Sequence, residues 1–341
     1  MAISPSGLRI FVMGNRGYAS ALLEELIANQ EQIVGICCRV DEMSWSKKIC
    51  SRYYHWIKKI GMGRLDDFLY QDPFEQFLYP EKIAHCFHIP VFNAREIKNK
   101  AFEQQLRALK PDVIFVAGFH RLIPSHVITI PHKAIVNFHP ALLPQHRGGT
   151  PNRWVIRKGE KEAGVTAHIV NERFDEGDIL LRQAITVGEN ETWGEVEIRI
   201  AALVPKVAKK VIDMIQHGEL SPRHQREEDA TYEPPYHGEL QTINWSLPAD
   251  EIRRVCNAIR PKSGGITTVQ GKNICIWESK AVTTMPQASP GAITHIERGF
   301  IQVACGQGSL RIVSFLYRGK VRSASFLIKR YDMKVGLRFG S

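Results

Sequence analysis

Along the N-terminal part of the chain, apolar and polar positions repeat in an order of strand, turn and helix. Leu8-Arg9-Ile10-Phe11-Val12-Met13 is an apolar, β-branched run that stops at Gly14-Asn15-Arg16-Gly17. Ala19–Asn29 then places apolar residues at helical spacing, and Gln32–Cys38 returns to a near-continuous apolar run. Runs of this kind belong to parallel strands covered on both faces, so the segment reads as a βαβ unit. The pattern recurs. Phe102–Leu109 predicts a helix, Pro111–Gly118 a buried strand, Lys133–Phe138 and Gly164–Val170 two more strands, and Glu195–His217 a long helix ending at Gly218. Strands alternating with helices in this way predict a doubly wound α/β domain.

The stretch between Val40 and Pro90 breaks the alternation. Trp45–Lys48, Tyr53–Lys59 and Phe74–Tyr79 are aromatic and partly basic, and α/β connections usually run only about 2–6 residues. An inserted lid or partner surface is expected at about 41–89. Glu219–Asp229 is polar and reads as a linker. Beyond it one short helix, Asp250–Ile259, precedes apolar runs at Ile266–Val269, Ile274–Trp277, Gly291–His295, Phe300–Cys305 and Ser309–Leu316. Gly271, Pro290, Gly306, Gly308 and Gly319 punctuate them, which predicts a small antiparallel barrel. The expected organisation is an α/β domain over 1–217, a linker over 218–232 and a β-rich unit over 233–341.

Charge sharpens that division. The net charge is +10, yet residues 251–341 alone hold 15 basic and four acidic side chains, which leaves the first 250 at −1. Such an asymmetry predicts two units with different partners. A hydrophobic content of 44% with 23% charged residues excludes wholesale disorder. No run approaches the ~18 apolar residues that would span a bilayer, and no basic flank precedes the first apolar stretch, so neither a membrane partner nor a secretory signal is expected. The seven cysteines are odd in number, dispersed and free of CxxC spacing. They read as reduced thiols in the cytoplasm, not as a disulfide frame or a zinc site. His85, His88 and His120 lack ligand spacing, so no metal is expected.

Gly14-Asn15-Arg16-Gly17 lacks the GxGxxG spacing, and no acidic residue closes the second strand. It reads as a tight βα turn, or an anion contact at a helix N-terminus, and disfavours a nicotinamide enzyme. The informative stretch is Asn137-Phe138-His139-Pro140-Ala141-Leu142-Leu143-Pro144-Gln145-His146-Arg147-Gly148-Gly149. Asn137 and His139 stand at i and i+2 at the end of a predicted strand, so they face one side, at the sheet edge where open α/β folds bind ligands. Pro140 and Pro144 predict an extended, rigid loop. A carboxamide can donate to a developing oxyanion, and an imidazole can move a proton near neutral pH. An acid would complete the set, and Phe174-Asp175-Glu176-Gly177-Asp178 offers one. By residue type alone, the same residues also read as a structural pair beside a proline turn. His146-Arg147 reads as an anion contact or a solvated turn, and His168 as a satisfied core histidine.

Asn137-x-His139-x-x-Leu142-Leu143-Pro144, Arg147-Gly148 and the downstream Asp175-x-Gly177-Asp178-Ile179 resemble the formyltransferase family that uses 10-formyltetrahydrofolate. Gly164-Val165-Thr166, Pro111–Phe115, Arg121–Pro124 and, further on, Ala230-Thr231-Tyr232, Ile243-Asn244-Trp245, Ile259-Arg260 and Gly264-Gly265 fit the same family. The resemblance implies a Rossmann-like catalytic domain followed by an OB-like barrel. It also implies an enzyme that moves a formyl group directly to a primary amine through a tetrahedral intermediate. Asn137 matches the oxyanion-stabilising asparagine, His139 the proton-transferring histidine, and Asp175 the aspartate that holds that histidine and raises its pKa. Arg121, Leu122 and Ile123, Ala141, Leu142, Leu143 and Pro144, and Asn171, Glu172, Arg173 and Phe174 match the walls of the folate pocket.

The resemblance leaves two acceptors. A small-molecule amine, such as a nucleotide-linked amino sugar, is the first expectation. The first strand lacks the Gly-Thr-Pro turn of the tRNA branch, and the aromatic insert stands where that branch has a Gly/Arg-rich loop. Against it, Gly149 stands where the lipid-sugar branch has arginine. His168 is similar to the sugar-modifying and folate-hydrolysing branches. The alternative is charged initiator tRNA, its backbone held by the basic C-terminal unit.

Overall fold

The first apolar runs form β1 (Arg9–Gly14) and β2 (Gln32–Cys38), parallel neighbours joined through α1 (Tyr18–Ala28). The computed structural model describes residues 5–15, 17–40, 77–236, 238–284 and 287–340, so most of the expected insert lies outside the described residues. Its last part forms α2 (Pro80–Cys86), which leads into β3 (Val91–Asn93) beside β2. Then α3 (Lys100–Ala108) leads to β4 (Val113–Ala117) on the other side of β1. The short α4 (Ser125–Ile128) leads to β5 (Ala134–His139) beside β4. These five strands are parallel, in the order β3-β2-β1-β4-β5. The order reverses between β1 and β4, the kind of switch point outside which such sheets bind ligands. All five residues of β4 are buried, as its unbroken apolar run requires.

Past β5 the sheet changes direction. A two-residue strand, β6 (Arg147–Gly148), and α5 (Pro151–Lys158) precede β7 (Glu162–Ile169), which runs antiparallel to β5. Strand β8 (Ile179–Thr186) returns antiparallel to β7 and completes seven strands. The apolar pattern did not predict β8. As an edge strand it buries only Leu180, and Arg182 and Gln183 interrupt its run. The long helix α6 (Trp193–His217) starts at a capping box. Thr192 Oγ1 accepts from the Glu195 N–H, and Glu195 Oε2 accepts from the Thr192 N–H at 2.7 Å. It stops at left-handed Gly218, and its stripe Val196, Ile200, Val204, Val207 and Val211 is buried in the core under the sheet.

The C-terminal unit is antiparallel and β-rich. A short β9 (Tyr232–Glu233) pairs with β6, and α7 (Ala249–Asn257) follows. Then come β10 (Gly265–Val269), β11 (Lys272–Val282), β12 (Ile293–Glu297), β13 (Phe300–Ala304), β14 (Ser309–Tyr317), β15 (Lys320–Ser323) and α8 (Ala324–Tyr331). Their order is β10-β11-β14-β13-β12, with β15 on the far half of β14. All four residues of β15 are exposed, so it left no alternating pattern to read. The tail closes the sheet. Phe339 bridges Val269 on one edge, Arg338 bridges Ala292 beside the other, and Phe339 N–H donates to Gly291 O at 2.8 Å. The two units are also docked. Ala258 and Ile259 belong to the core of the first, and Gly194, whose N–H donates to Arg260 O at 2.9 Å, leaves no room for a Cβ beside Pro261.

Phe339 is buried, with its ring centroid 5.5 Å from that of Trp245. Its truncation removes core volume and the apolar anchor of the backbone bridge that closes the sheet. Phe339→Ala should destabilise the C-terminal unit by about 3–5 kcal/mol, read as a shift in its urea midpoint. An unchanged midpoint would mean that the tail holds without this ring.

Candidate active site

The site begins with a register. In the β5–β7 pair, Asn137 lies opposite His168 and His139 opposite Thr166. Alternate residues share a face, and directly opposed side chains are in reach of one another. Four polar side chains therefore meet on one face. Asn137 Nδ2 lies 3.0 Å from His168 Nε2, and His168 Nδ1 lies 2.9 Å from Ile169 O. The carbonyl can only accept, so Nδ1 carries the ring proton, and Nε2 accepts from the Asn137 amide. Thr166 Oγ1 donates to Ala141 O at 2.6 Å and accepts from Leu143 N–H at 3.0 Å, which ties the loop after β5 to β7.

Asp175 joins this face from the loop between β7 and β8. Its Oδ1 accepts from Asn137 Nδ2 at 3.3 Å and lies 3.3 Å from His139 Nδ1 and 3.6 Å from His168 Nε2. Its Oδ2 accepts from the Gly148 N–H at 3.0 Å. To reach there, Asp175 takes φ 57°, a left-handed conformation that aspartate tolerates better than most residues. Gly177 makes the turn possible, because a Cβ there would stand 1.7 Å from Ile169 O.

Electrostatics follow from the geometry. His139 is buried, and its two nitrogens face the Asp175 carboxylate and, at 3.0 Å, the His146 carbonyl. Both partners accept, so the ring is held as an imidazolium. Burial alone would lower its pKa, but the Asp175 charge and both hydrogen bonds outweigh burial and raise it. Burial acts to raise the Asp175 pKa, and the neighbouring imidazolium overrides that and holds it far below the usual carboxylate range. A buried cation–anion pair beside a carboxamide donor can shuttle a proton and stabilise charge on a carbonyl oxygen.

Residues 8–212 match the formyl transferase family, and residues 237–330 match the formyl transferase C-terminal domain. The chain belongs to the formyl transferase family. It is 30% identical over 315 residues to the methionyl-tRNA formyltransferase of Alkaliphilus oremlandii (strain OhILAs), which covers 92% of this chain and 94% of that protein. Among solved structures it resembles the N-formyltransferase of Helicobacter canadensis in complex with folinic acid and dTDP-3-aminofucose. That likeness has a TM-score of 0.63 at 17% identity and covers 90% of this chain and 99% of that one. HypX of Aquifex aeolicus in complex with tetrahydrofolic acid aligns with a TM-score of 0.62 at 16% identity, over 96% of this chain and 48% of that one. At such identities the structural likeness is one of fold.

The other expected site residues of this formyl transferase fall into an exposed and an inward-facing group, with Leu142 and Pro144 half-buried between them. Arg121 and Leu122 are exposed on the loop leaving β4, next to β5, and Asn171, Glu172, Arg173 and Phe174 are exposed just before Asp175. Leu122 and Phe174 are apolar yet 44% and 55% accessible. Ile123, Ala141 and Leu143 point the other way, into the protein. The backbone groups of the last two are also committed: Ala141 O and Leu143 N–H to Thr166, and Leu143 O to Arg182 Nη1 at 3.0 Å. The loop is not extended as the prolines predict. It turns at Gln145, whose N–H donates to Leu142 O, and Pro144 O accepts from the Thr231 N–H.

One expectation fails outright. His146-Arg147 is neither a solvated turn nor an open anion contact, because both side chains are buried. His146 Nε2 meets Glu160 at 2.9 Å, and Nδ1 lies 3.2 Å from Glu233. The Arg147 guanidinium forks onto Glu227 at 2.9 and 3.0 Å and donates to the Tyr232 hydroxyl. His168 is the satisfied, buried histidine that was expected, both ring nitrogens being partnered, and it belongs to the polar cluster as well.

The pair sets a pH window. Asp175, with its pKa depressed, contributes stability that is present above its ordinary 3.8 and lost as pH falls toward its folded value. His139, with its pKa raised, contributes stability that is present below its ordinary 6.5 and lost as pH rises through its folded value. The stability gap between wild type and Asp175→Asn should therefore be widest between pH 3.8 and 6.5 and narrow on both sides. Urea midpoints across pH measure it, and a gap that ignores pH would break the pairing.

Proposed function

We propose that this formyl transferase moves the formyl group of 10-formyltetrahydrofolate to the amino group of methionyl-tRNA. The carrying observation is the full-length kinship with a methionyl-tRNA formyltransferase, which spans both units and not the catalytic one alone. The charge distribution supports it, since the surplus of +11 sits in the C-terminal unit. On that unit Arg318 lies over the Tyr317 ring and Arg322 over Phe326, and the two rings are 5.4 Å apart. Lys320 on β15 and Lys329 and Arg330 on α8 are exposed as well. Cations interleaved with aromatic faces suit a sugar-phosphate backbone.

In the catalytic unit each residue has one task. Attack by an amine on the formyl carbon builds negative charge on the formyl oxygen and positive charge on the nitrogen. A proton given to N10 of the folate and one lost from the new ammonium then let the tetrahedral intermediate collapse, breaking the formyl C–N10 bond and releasing tetrahydrofolate. Asn137 is the donor for the oxygen. Its 3.3 Å bond to Asp175 is longer than its 3.0 Å contact with His168, so that is the bond an oxyanion displaces. His139 Nε2 is committed to the His146 carbonyl, which leaves the Nδ1 side, shared with Asp175, for proton exchange. Asp175 keeps the imidazolium available near neutral pH. No covalent bond to the protein is needed, so position and fixed dipoles supply the rate.

A nucleotide-linked amino sugar is the second reading. It rests on His168, a residue similar to those of the sugar-modifying branch, which sits within hydrogen-bond reach of Asn137.

The deciding experiment supplies the formyl donor with charged initiator tRNA and, separately, with a panel of nucleotide-linked amino sugars. Fast turnover of tRNA, with affinity that falls linearly in log salt, is the expected result. Turnover of a sugar alone would replace the first reading by the second. Asn137→Ala and His139→Ala should each lower kcat by about 10²–10⁴-fold. Wild-type rates in either would remove that residue from the chemistry.

A further inference from the structure

The connecting segment 219–230 is exposed almost throughout, as a linker should be, but one residue in it is buried: Gln225, at 1% accessibility. A buried carboxamide in a solvated strap needs partners that satisfy it. Its Nε2 donates to Asp175 O at 2.8 Å and to Gly177 O at 2.7 Å, the two carbonyls that flank the turn of the site aspartate. Its Oε1 accepts from Arg147 Nε at 3.1 Å and Nη2 at 3.0 Å. All of its protons and its oxygen are thereby used, and the arginine fork fixes which end of the amide faces the turn.

Arg147 is fully buried and is held in turn by Glu227 and Tyr232. The next backbone N–H, of Gly148, is the one that binds Asp175 Oδ2. Asp175 is thus gripped at its carbonyl by Gln225 and at its outer carboxylate oxygen by Gly148. Only Oδ1 is left to face Asn137, His139 and His168. The left-handed φ of Asp175 is unfavourable for a residue with a Cβ, so it persists only where its surroundings over-determine it.

We propose that Gln225, backed by Arg147, is a positioning residue for the formyl-transfer reaction, and that the interdomain strap thereby completes the active site by holding Asp175 in register with His139. The proposal rests on the formyl-transfer reading for its kinetic arm only. Gln225 touches neither substrate nor the reacting atoms and acts through Asp175. The groups that face His139 are the Asp175 carboxylate from its loop, the His146 carbonyl from the turn before β6, and the His168 ring on β7, its centroid 6.5 Å away. When Asp175 drifts, His139 loses the only anion among them.

Three variants and two readouts test this. Gln225→Met keeps volume and removes both polar functions. Gln225→Glu keeps an acceptor for Arg147 but turns a second oxygen against the two carbonyls. Gln225→Asn keeps the chemistry with one methylene less reach and serves where the others do not fold. The readouts are steady-state kinetics, and titration of the His139 ring followed by NMR in the full chain. All three variants should lower kcat by about 10–10²-fold, with KM for the formyl donor nearly unchanged. In each, His139 should titrate at lower pH than in wild type, and the matching limb of the pH–kcat profile should move with it. A Gln225→Glu protein with wild-type kcat and wild-type titration would overturn the proposal, because the strap would then serve only to seat Arg147. A fall in kcat with the His139 titration unmoved would overturn it equally. A wild-type chain inert toward every acceptor would sink the formyl-transfer reading alone, and the titration would still decide the role of Gln225.

Discussion

A single carboxylate oxygen organises this catalytic unit. Asp175 Oδ1 lies within 3.3 to 3.6 Å of a carboxamide and two imidazoles, on a side chain only 11% accessible. An anion in that position is costly unless charge and hydrogen bonds answer it. His139 answers with a proton that its own burial would otherwise expel. Each member of the pair is therefore ionised because the other is. The rest of the architecture can be read as what keeps the two at that separation.

The change of strand direction after β5 is the largest of those arrangements. A strand that continued the parallel order would need a crossover helix and would enter beside β5 from the opposite end. The antiparallel β7 places His168 across from Asn137, then carries the chain back to Ile135, where the Val170 N–H bonds to its carbonyl. The following loop folds over, with Ile169 N–H on Asp178 O and Gly177 pressed on Ile169, and so brings Asp175 onto the same face. Site and topology are one feature here. A shift of one residue in the β5–β7 register would turn Asn137 and His139 away from His168 and Thr166 together.

What could be read from the sequence tracks the range of the interaction. The parallel strands and the helices between them were legible because each apolar run is a local pattern. Asn137 and His139 were legible as a same-face pair because i and i+2 need only the strand period. Asp175, 38 residues from Asn137, was legible only as one of three acids in a candidate loop until family resemblance singled it out, since no spacing rule links a loop aspartate to a strand asparagine. His168 was legible as a satisfied buried histidine but not as a neighbour of Asn137, because alternation places it on a face and does not say which strand lies opposite. Arg147 was misread for a different reason. A cation next to two glycines looks solvated, and the groups that satisfy it are 78 to 85 residues further along. Gln225 stands in a polar, proline-containing segment, and nothing local distinguishes a residue that anchors such a strap from one that is merely soluble.

The charge asymmetry of the C-terminal unit divides on the same principle. Arg253 is buried, shares Asp250 with Arg254, and donates to Glu189 O at 2.6 Å, so it docks α7 against the catalytic unit. Arg260 lies over the Trp277 ring beside that interface. These cations are spent inside the protein and cannot answer to an external anion. Twelve others are exposed, and five of these, Arg318, Lys320, Arg322, Lys329 and Arg330, lie on the β14–β15 hairpin and α8, with Arg318 over the half-buried Tyr317 ring and Arg322 over that of Phe326. Hydrated cations on a hairpin edge contribute little to stability through isolated pairs. Their joint field, in contrast, reaches about a Debye length into solvent and is largest for a partner that is itself a dense line of negative charge. The surplus that makes the whole chain basic is thus partly a fastening between units and partly a surface. Only the second part bears on which acceptor arrives.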